Sequence, residues 1–346
     1  MKASAIRHRM CWLSFLFKIG VLAQGMDAKA PPLPEFCEIA GNPVPLGVRP
    51  GWFTTSDGVR LRSAVFKPKG GGTRGTICLV HGRTEFIEKY FETISDFLAR
   101  GFAVATFDWR GQGGSQRLTP SKLGHVKSFE DYWCDLKSFH ADVLLPDCPG
   151  PFYLVGHSMG GLVSLLAAER DRLMFDRVFL SAPMIAIDHM PFSTRGMARF
   201  GRTLTLLGLG HASASRKDVP QSLMPFADNP LTGDALRFTR NGDILRARPD
   251  LETLAPTYGW AAAAFTAMAE AAGDAFPTEI KIPVLMLVAA RDRVVSSPAI
   301  EALGLRMRTG RHIVVPGAQH ELFQESDPIR AQVMAAFDAF VTNPSA

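Results

Sequence analysis

A serine flanked by glycines is the residue of this sequence best suited to nucleophilic chemistry. Ser158 lies at the centre of GHSMG, residues 156–160, between an apolar strand predicted at 152–155 and a helix predicted at 162–170. A chain that turns this sharply from strand to helix exposes its apex side chain, and glycines on either side remove steric clashes. The helix N-terminus also favours the negative charge that develops during acyl transfer. The pattern therefore predicts a nucleophilic serine.

A serine hydroxyl is a weak nucleophile, so the chain must also supply a general base and a group that orients it. Asp292 follows an apolar strand predicted at 284–288, and His320 follows a strand predicted at 312–315. Both positions lie at the carboxyl ends of strands, where open parallel sheets build their sites. We therefore predict a triad of Ser158, Asp292 and His320, with Asp292 as the acid and His320 as the base.

Other titratable residues near the predicted strand ends are assigned structural roles. His157 neighbours the serine, but its ring is expected to point away from the hydroxyl across the turn. His81 is expected to organise the loop after its strand. Asp108 stays open as an alternative acid, although the motif around it is more typical of a hydrogen-bonded turn. His125 and Asp131 precede or begin a helix, which favours surface or capping roles.

The predicted acyl transfer also requires backbone N–H groups that stabilise an oxyanion. Met159, directly after the serine, is the first predicted donor. The loop after His81 is expected to supply the second, which we assign to Arg83, with Thr84 and Gly82 as alternatives. This chemistry requires neither a metal nor an organic cofactor.

Strand and helix signals alternate from Gly51 onward, which predicts a mostly parallel, doubly wound sheet covered by helices. The alternation stops at residues 184–276, a mainly helical, apolar and arginine-bearing stretch without strand signals. It resumes afterwards. We therefore predict an α/β core formed by residues 46–183 and 277–346, interrupted by a helical cap at 184–276.

Composition excludes several classes of protein. With 47% apolar and 21% charged residues, the chain is neither disordered nor a coiled coil. Most of the net charge of +5 comes from residues 1–30, so no basic face for nucleic acid is predicted. Five cysteines without C-x-x-C spacing support neither a disulfide framework nor a zinc site, and they fit a reducing compartment.

Residues 1–45 are left outside the predicted fold. The apolar segment 10–24 follows basic residues, but Lys18 interrupts it and it is too short to span a bilayer. Three interpretations stay open: a weak signal or membrane-association segment, a disordered extension, or a mistaken start codon with Met26 as the true start. The expected location is the cytoplasm, with membrane association as an alternative.

Several segments together resemble the bacterial lysophospholipase and monoacylglycerol lipase branch of the α/β-hydrolases. They are HGRTEFIEKY, DWRGQGGSQR, LGHVKSFEDYWCDL, YLVGHSMGG, the stretch from NPLTGDALRF to APTYGW, and PGAQHELFQE. The likeness covers residues 43–343, and the chain order serine, aspartate, histidine is that of the superfamily. The resemblance implies an α/β-hydrolase fold and a serine esterase acting on single-chain acyl glycerols or lysophospholipids, with a helical cap over the site.

The same resemblance carries site roles over to this sequence by motif. The matched positions are Ser158 as nucleophile, Asp292 as acid, His320 as base, and Arg83 with Met159 as oxyanion donors. Arg83 and Thr84 stand where the monoacylglycerol lipases have small residues, so the chain resembles the lysophospholipases more closely. The N-terminal extension also departs from the family pattern.

The predicted cap contains a basic amphipathic segment at 191–210. Apolar residues recur there at steps of three and four, with arginines on other faces: Met197, Phe200, Leu204 and Leu207 against Arg195, Arg199 and Arg202. Such a helix could rest on an anionic membrane or hold a phosphate. The alternative is that its apolar stripe packs on the core.

The predicted reaction is a two-step transfer of an acyl group to water through an acyl-enzyme. The same triad could serve a peptidase, a thioesterase or a small-ester carboxylesterase, because the fold does not dictate the acyl group. An acidic pocket would favour a peptidase, and a long apolar tunnel would favour a lipid. In a different class, the chain would be a ligand-binding pseudo-enzyme. The oligomeric state is not predicted.

Overall fold

A computed structural model of the chain describes residues 32–70, 72–187, 190, 193–215 and 220–342. The fold below is that of the compact unit that begins at Pro34. The segment 10–24 and the alternative start at Met26 lie outside the described residues. Within the described ranges, no helix is long and apolar enough to cross a membrane.

Eight strands form the central sheet, and two short strands pair outside it. Their bounds are β1 Val48–Thr54, β2 Arg60–Phe66, β3 Thr76–Val80, β4 Ala103–Phe107, β5 Leu123–Gly124, β6 Phe152–His157, β7 Arg177–Ser181, β8 Leu254–Pro256, β9 Val284–Ala289 and β10 Gly310–Val315. The order in the central sheet is β1-β2-β4-β3-β6-β7-β9-β10. Strand β2 runs antiparallel to β1 and β4, whereas the pairs from β4 to β10 are parallel. The predicted mostly parallel α/β sheet is confirmed.

The central strands are the continuous apolar runs that a parallel sheet covered on both faces requires. Every residue of β3, β4 and β9 is buried. The sequence analysis missed β1, whose sequence VRPGWFT contains a proline and a glycine that weaken the strand signal. Proline is tolerated there because β1 is an edge strand, where one side of the backbone needs no ladder partner.

The helices alternate with these strands. Their bounds are α1 Phe91–Ala99, α2 Phe129–Phe139, α3 Ser158–Arg170, α4 Thr194–Leu204, α5 Ala235–Ala247, α6 Tyr258–Ala271, α7 Phe276–Glu279, α8 Ser297–Arg306 and α9 Asp327–Thr342. Helix α2 continues through a π turn at His140–Leu144 to Leu145–Asp147, and a second π turn, Thr205–Leu209, follows α4. Short 3-10 turns lie at Ile87–Tyr90, Gln221–Leu223, Phe226–Asp228, Pro249–Leu251 and Leu322–Gln324.

The described part of the predicted cap is mainly helical, as expected, but it also contains a strand. Strand β8 pairs in parallel with β5, which lies in the first core segment. The prediction of no strand in this stretch is therefore wrong. A three-residue strand that ends in proline carries almost no local signal, because its stability comes from the partner strand. The proposed boundaries at 46, 184 and 277 stay predictions.

Helix α4 packs on α6 through small residues rather than through the predicted stripe of large apolar ones. Ala198 and Gly201 are its buried positions, whereas Phe200 is 49% exposed. A Cβ atom on Gly201 would lie 2.9 Å from the Cβ of Ala262 on α6. Because the two helices approach this closely, only small residues fit between them. Met197 is partly buried against the core, whereas Phe200 and Leu207 are exposed, so the alternative in which the apolar stripe packs on the core holds for Met197 and is wrong for the other two.

Candidate active site

Ser158 occupies a sharp turn between β6 and α3. Its φ is 50°, in the left-handed region that side chains other than glycine rarely adopt. The flanking glycines are required by close approach: a Cβ on Gly160 would lie 2.5 Å from the His81 carbonyl oxygen. A Cβ on Gly156 would lie 2.6 Å from Oγ of Ser164. The turn is therefore strained at the serine and packed tightly around it.

The structure brings the three predicted triad residues within hydrogen-bond distance of one another. Nε2 of His320 lies 3.0 Å from Oγ of Ser158, and Nδ1 lies 2.8 Å from Oδ2 of Asp292. All three lie beyond the carboxyl ends of parallel strands, because β6, β9 and β10 end at the same edge of the sheet. This arrangement can move a proton from the serine hydroxyl to the imidazole.

The carboxylate of Asp292 is held in its charged form. Burial by itself raises its pKa, but the hydrogen bond and charge of His320 outweigh it, as do the N–H groups of Val295 and Val294. Those N–H groups donate to Oδ1 at 2.9 and 2.8 Å, and the net pKa of Asp292 lies below its ordinary value. A charged Oδ2 therefore accepts a hydrogen bond from the Nδ1–H group of His320, which leaves Nε2 as the acceptor that faces the serine.

The two alternatives to Arg83 as oxyanion donor are already committed to other acceptors. The N–H of Gly82 donates to Oε2 of Glu85 at 2.5 Å, and the N–H of Thr84 donates to Oε1 of Gln112 at 2.6 Å. Both N–H groups therefore already have an acceptor within the fold. The role of Arg83 as a donor with Met159 stays a prediction.

The Arg83 side chain connects the loop after β3 to the cap. Its Nη1 donates to the carbonyl oxygen of Leu254 in β8 at 3.1 Å, and its guanidinium lies 5.5 Å from the ring centre of Trp260. The pocket beside Ser158 has a volume of about 260 Å³. Its apolar lining residues are Met184, Ile187, Leu231, Pro256, Trp260, Val294 and Val295.

The alternative acid, Asp108, does not face the triad histidine. Its carboxylate accepts from Nε of Arg62 at 2.6 Å and from the N–H groups of Ile87 and Gly114 at 3.0 and 2.8 Å. The N–H contacts hold the loops around β4, as the hydrogen-bonded turn interpretation predicts. His81 lies beside Asp108 and contacts the Gly82 carbonyl oxygen at 2.8 Å.

Of the remaining structural roles predicted for His157, Asp131 and His125, the contacts agree with the first two and contradict the third. Nδ1 of His157 lies 3.0 Å from the Ser181 carbonyl oxygen, so its ring is bonded away from the serine hydroxyl. Asp131 completes a capping box at the start of α2. His125, by contrast, is only 8% exposed, so the surface role predicted for it is wrong. Sequence reasoning could not see that β8 and α6 cover it.

Sequence reasoning also missed a buried ion cluster that connects the loop after β3 to the histidine loop. Nζ of Lys89 donates to Glu85 at 2.8 Å and to Glu321 at 2.6 Å. Burial alone would lower the pKa of Lys89, but Glu321 and Glu85 outweigh it and raise that pKa. Glu85 holds Gly82, and Glu321 directly follows the triad histidine. The spacing of four between Glu85 and Lys89 was the available sequence signal.

Replacing Lys89 with methionine is expected to lower the free energy of unfolding by ~3–5 kcal/mol, because two buried carboxylates then lose their shared cation. Urea unfolding followed by circular dichroism measures the change. Lys89→Arg retains the charge and serves as the control, with a smaller loss expected. An unfolding free energy for Lys89→Met equal to that of the wild type would show that the cluster contributes nothing to stability.

His157 is expected to make the protein less stable in acid. Burial lowers its pKa from 6.5 to about 4, so between these values the unfolded chain binds a proton that the folded chain does not. Stability therefore falls as the pH decreases through this window. His157→Asn retains a donor for Ser181 but cannot titrate. We expect the loss in unfolding free energy between pH 7 and 4.5 to be ~2 kcal/mol smaller in this variant. Equal losses in both proteins would contradict the assignment.

Comparison with known proteins identifies the family. The model of a family described as serine aminopeptidase, S33 (Hydrolase_4) matches residues 71–327. This chain belongs to that hydrolase family. Lysophospholipase L2 of Escherichia coli (strain K12) is 33% identical over 305 residues, which cover 83% of this chain and 86% of that relative.

Solved structures agree on the fold. The monoacylglycerol lipase of Paleococcus ferrophilus superposes with a TM-score of 0.64 at 24% identity, over 82% of this chain and 98% of that chain. A monoglyceride lipase variant from Saccharomyces cerevisiae gives a TM-score of 0.66 at 18% identity, over 85% and 96% of the two chains. The resemblance noted in the sequence and the α/β-hydrolase fold are confirmed. This Hydrolase_4 member is a carboxylic ester hydrolase.

Proposed function

We propose that this enzyme hydrolyses carboxylic esters of single-chain lipids, a lysophospholipid or a monoacylglycerol, through an acyl-enzyme on Ser158. One observation carries the proposal: the hydroxyl that is hydrogen-bonded to His320 lies in a pocket with an apolar lining. An acyl chain is the part of a lipid ester that such a lining favours. The lysophospholipase name of the Escherichia coli relative supports the same substrate class.

In the proposed reaction, Nε2 of His320 takes the Ser158 proton as the serine attacks the ester carbonyl carbon. The carbonyl oxygen becomes an oxyanion that the N–H groups of Arg83 and Met159 stabilise. Asp292 holds the imidazole tautomer and stabilises its cation. The imidazolium protonates the departing alcohol. A water molecule, deprotonated by the same histidine, then releases the fatty acid and regenerates the serine.

The aminopeptidase alternative is weaker because the acids of the pocket are not available to a substrate amine. Glu85 and Glu321 line the pocket, but Lys89 already pairs with both carboxylates. The cap contributes Ile187, Leu231 and Trp260, which are apolar or aromatic. A free amino group would therefore have to compete with Lys89 for these buried carboxylates.

A hydrolysis panel tests the proposal. Purified protein is assayed against lysophosphatidylcholine, monoacylglycerol, a short nitrophenyl ester, an acyl thioester and an aminoacyl amide. We expect the highest kcat/KM for one of the two lipids. A higher kcat/KM for the amide, the thioester or the short ester would contradict the lipid substrate and favour a peptidase, a thioesterase or a small-ester carboxylesterase, respectively. Turnover of none of them would favour the ligand-binding pseudo-enzyme.

We further propose that the cap contacts an anionic membrane surface. The cap patch is defined here as Phe200, Leu206, Leu207 and Leu209, and within it Leu206 is 88% and Leu207 70% exposed. Arg195, Arg199 and Arg202 lie on α4 beside the cap patch. Exposed apolar residues next to cations match the headgroup boundary of an anionic bilayer.

Sedimentation with vesicles tests the membrane contact. The wild type is expected to bind phosphatidylglycerol vesicles more tightly than phosphatidylcholine vesicles. Replacing Leu207 and Leu209 with aspartate should weaken binding at least ~10-fold, because each inserted leucine contributes about 1.5–3 kcal/mol. Leu236→Asp on α5, at a position 83% exposed, is the matched control and should bind like the wild type. Unchanged binding of the double variant would remove the cap patch from the proposal.

A further inference from the structure

A second cavity, of about 570 Å³, lies along α6, and its lining residues differ from those of the triad pocket. Trp260 lines the triad pocket, whereas Ala263 and Thr266 of the same helix line the second cavity. Its other walls are the segment after α4, including Leu206, and the segment that leads into α2, including His125. The proposed reaction assigns no step to any residue that lines the second cavity.

His125 contributes an unsatisfied buried group to this cavity. Its Nδ1 lies 2.8 Å from Oγ1 of Thr257, and that hydroxyl oxygen already accepts the N–H of Trp260 at 3.1 Å. The Thr257 hydroxyl can then donate its own proton to Nδ1 of His125. Nδ1 is the acceptor in that arrangement, so the proton of the neutral ring lies on Nε2. Nε2 is buried and has no hydrogen-bond partner among the described residues. A buried N–H donor of this kind is stabilised by an oxygen acceptor.

The charges around the cavity favour an anion. Arg202 and Lys127 line it, and neither makes an ion pair with a described residue. The two carboxylates of the lining, Glu130 and Glu270, are both paired with Arg170, at 2.5 and 3.2 Å. Arg170 balances one of these two carboxylates, so together with Arg202 and Lys127 the group carries one net positive charge, which favours an anionic ligand.

The remaining wall is apolar and suits a hydrocarbon chain. Ala262, Ala263 and Ala267 line the cavity from one face of α6, and Leu206, which is largely exposed, borders it from the segment after α4. Small side chains along one helix face leave a channel rather than a filled core. Its volume lies within the range of sites that bind small molecules.

We propose that this cavity binds a single-chain amphiphile with an anionic oxygen head, specifically a fatty carboxylate. The carboxylate accepts from Nε2 of His125 and pairs with Arg202, and the chain lies along the alanines of α6. The choice of a fatty carboxylate rests on the proposed function, because that reaction releases one. The anionic amphiphile site itself rests only on the cavity and its lining.

Calorimetric titration with dodecanoate below its micelle concentration tests the site. The full chain is first treated with a dodecyl fluorophosphonate, which fills the triad pocket if the proposed function is correct. We expect one equivalent of dodecanoate to bind the treated protein. Arg202→Ala and Thr266→Phe, which remove the cation and fill the cavity, should each weaken binding about 10-fold. Circular dichroism confirms that each variant is folded.

Arg199→Ala is the matched control, since Arg199 lies on α4 outside the cavity lining. It should bind dodecanoate like the wild type, and dodecyltrimethylammonium should not bind to any of the proteins. The site is rejected if the treated protein shows no saturable binding, if Arg202→Ala binds like the wild type, or if the cationic detergent binds equally well. If the fluorophosphonate fails to label, the proposed function fails, and the same variants tested on untreated protein still decide the cavity site.

Discussion

Ser158→Ala is expected to lower kcat for ester hydrolysis by ~10⁶-fold, the order found when a protease loses its serine nucleophile. Oγ of Ser158 is the atom that lies 3.0 Å from Nε2 of His320, so the variant retains the base but has nothing for it to deprotonate. Steady-state hydrolysis of a nitrophenyl ester measures the loss. Labelling by a fluorophosphonate probe should disappear in parallel, because the probe reacts only with an activated hydroxyl.

Ser164→Ala is the matched control for this prediction. Ser164 lies on the same helix, is also buried, and donates a hydrogen bond from its hydroxyl to the Gly160 carbonyl oxygen at 2.7 Å. Its removal should leave kcat within a few-fold of the wild type and labelling intact. Undiminished labelling of Ser158→Ala would place the nucleophile at another residue.

Asp292→Asn is expected to lower kcat by ~10⁴-fold while the protein stays folded, the size of effect known for this change in a serine protease. The charged Oδ2 accepts a hydrogen bond from the Nδ1–H group of His320, and an amide in its place either donates to that nitrogen or leaves the imidazolium unstabilised. The wrong tautomer then presents a proton, rather than a lone pair, to the serine. Measuring kcat at several pH values gives the size of the loss. The Asp292→Asn variant should show the same low activity at neutral pH, because its carboxamide carries no charge.

The Asp108→Asn variant tests whether Asp108, the alternative acid, orients His320 in place of Asp292. Asp108 is buried against Arg62, so its replacement should reduce stability. The kcat per folded molecule should nevertheless stay within about 10-fold of the wild type, because Asp108 does not contact His320. If Asp108→Asn lost its activity while Asp292→Asn kept it, Asp108 would be the triad acid and Asp292 the structural residue.

Much of the core was predictable because a local pattern accompanies each parallel strand. The runs TICLV and VLMLVA have no polar face, which a strand covered on both sides requires, and both are strands in the structure. The order and strand-end positions of Ser158, Asp292 and His320 were readable for the same reason. Their mutual distances agree with the prediction, and their catalytic roles await the variants above.

Features that depend on partners remote in sequence were not predictable. Strand β8 exists because β5 lies beside it, and His125 is buried because Thr257 and the cap cover it. Gly201 of α4 faces Ala262, so the amphipathic pattern there misassigned which residues pack inward. In each case the decisive neighbour is more than 50 residues away along the chain.

The sequence by itself determined the fold class and the candidate triad, because strand signals and the residues that follow strands are local properties of the chain. Only the tertiary structure decided the acceptors of the Gly82 and Thr84 N–H groups, the ion cluster around Lys89 and the cavity along α6. Burial and ion pairing are the physical reason, since a carboxylate such as Glu85 is committed only once the fold brings Lys89, Gly82 and Glu321 around it.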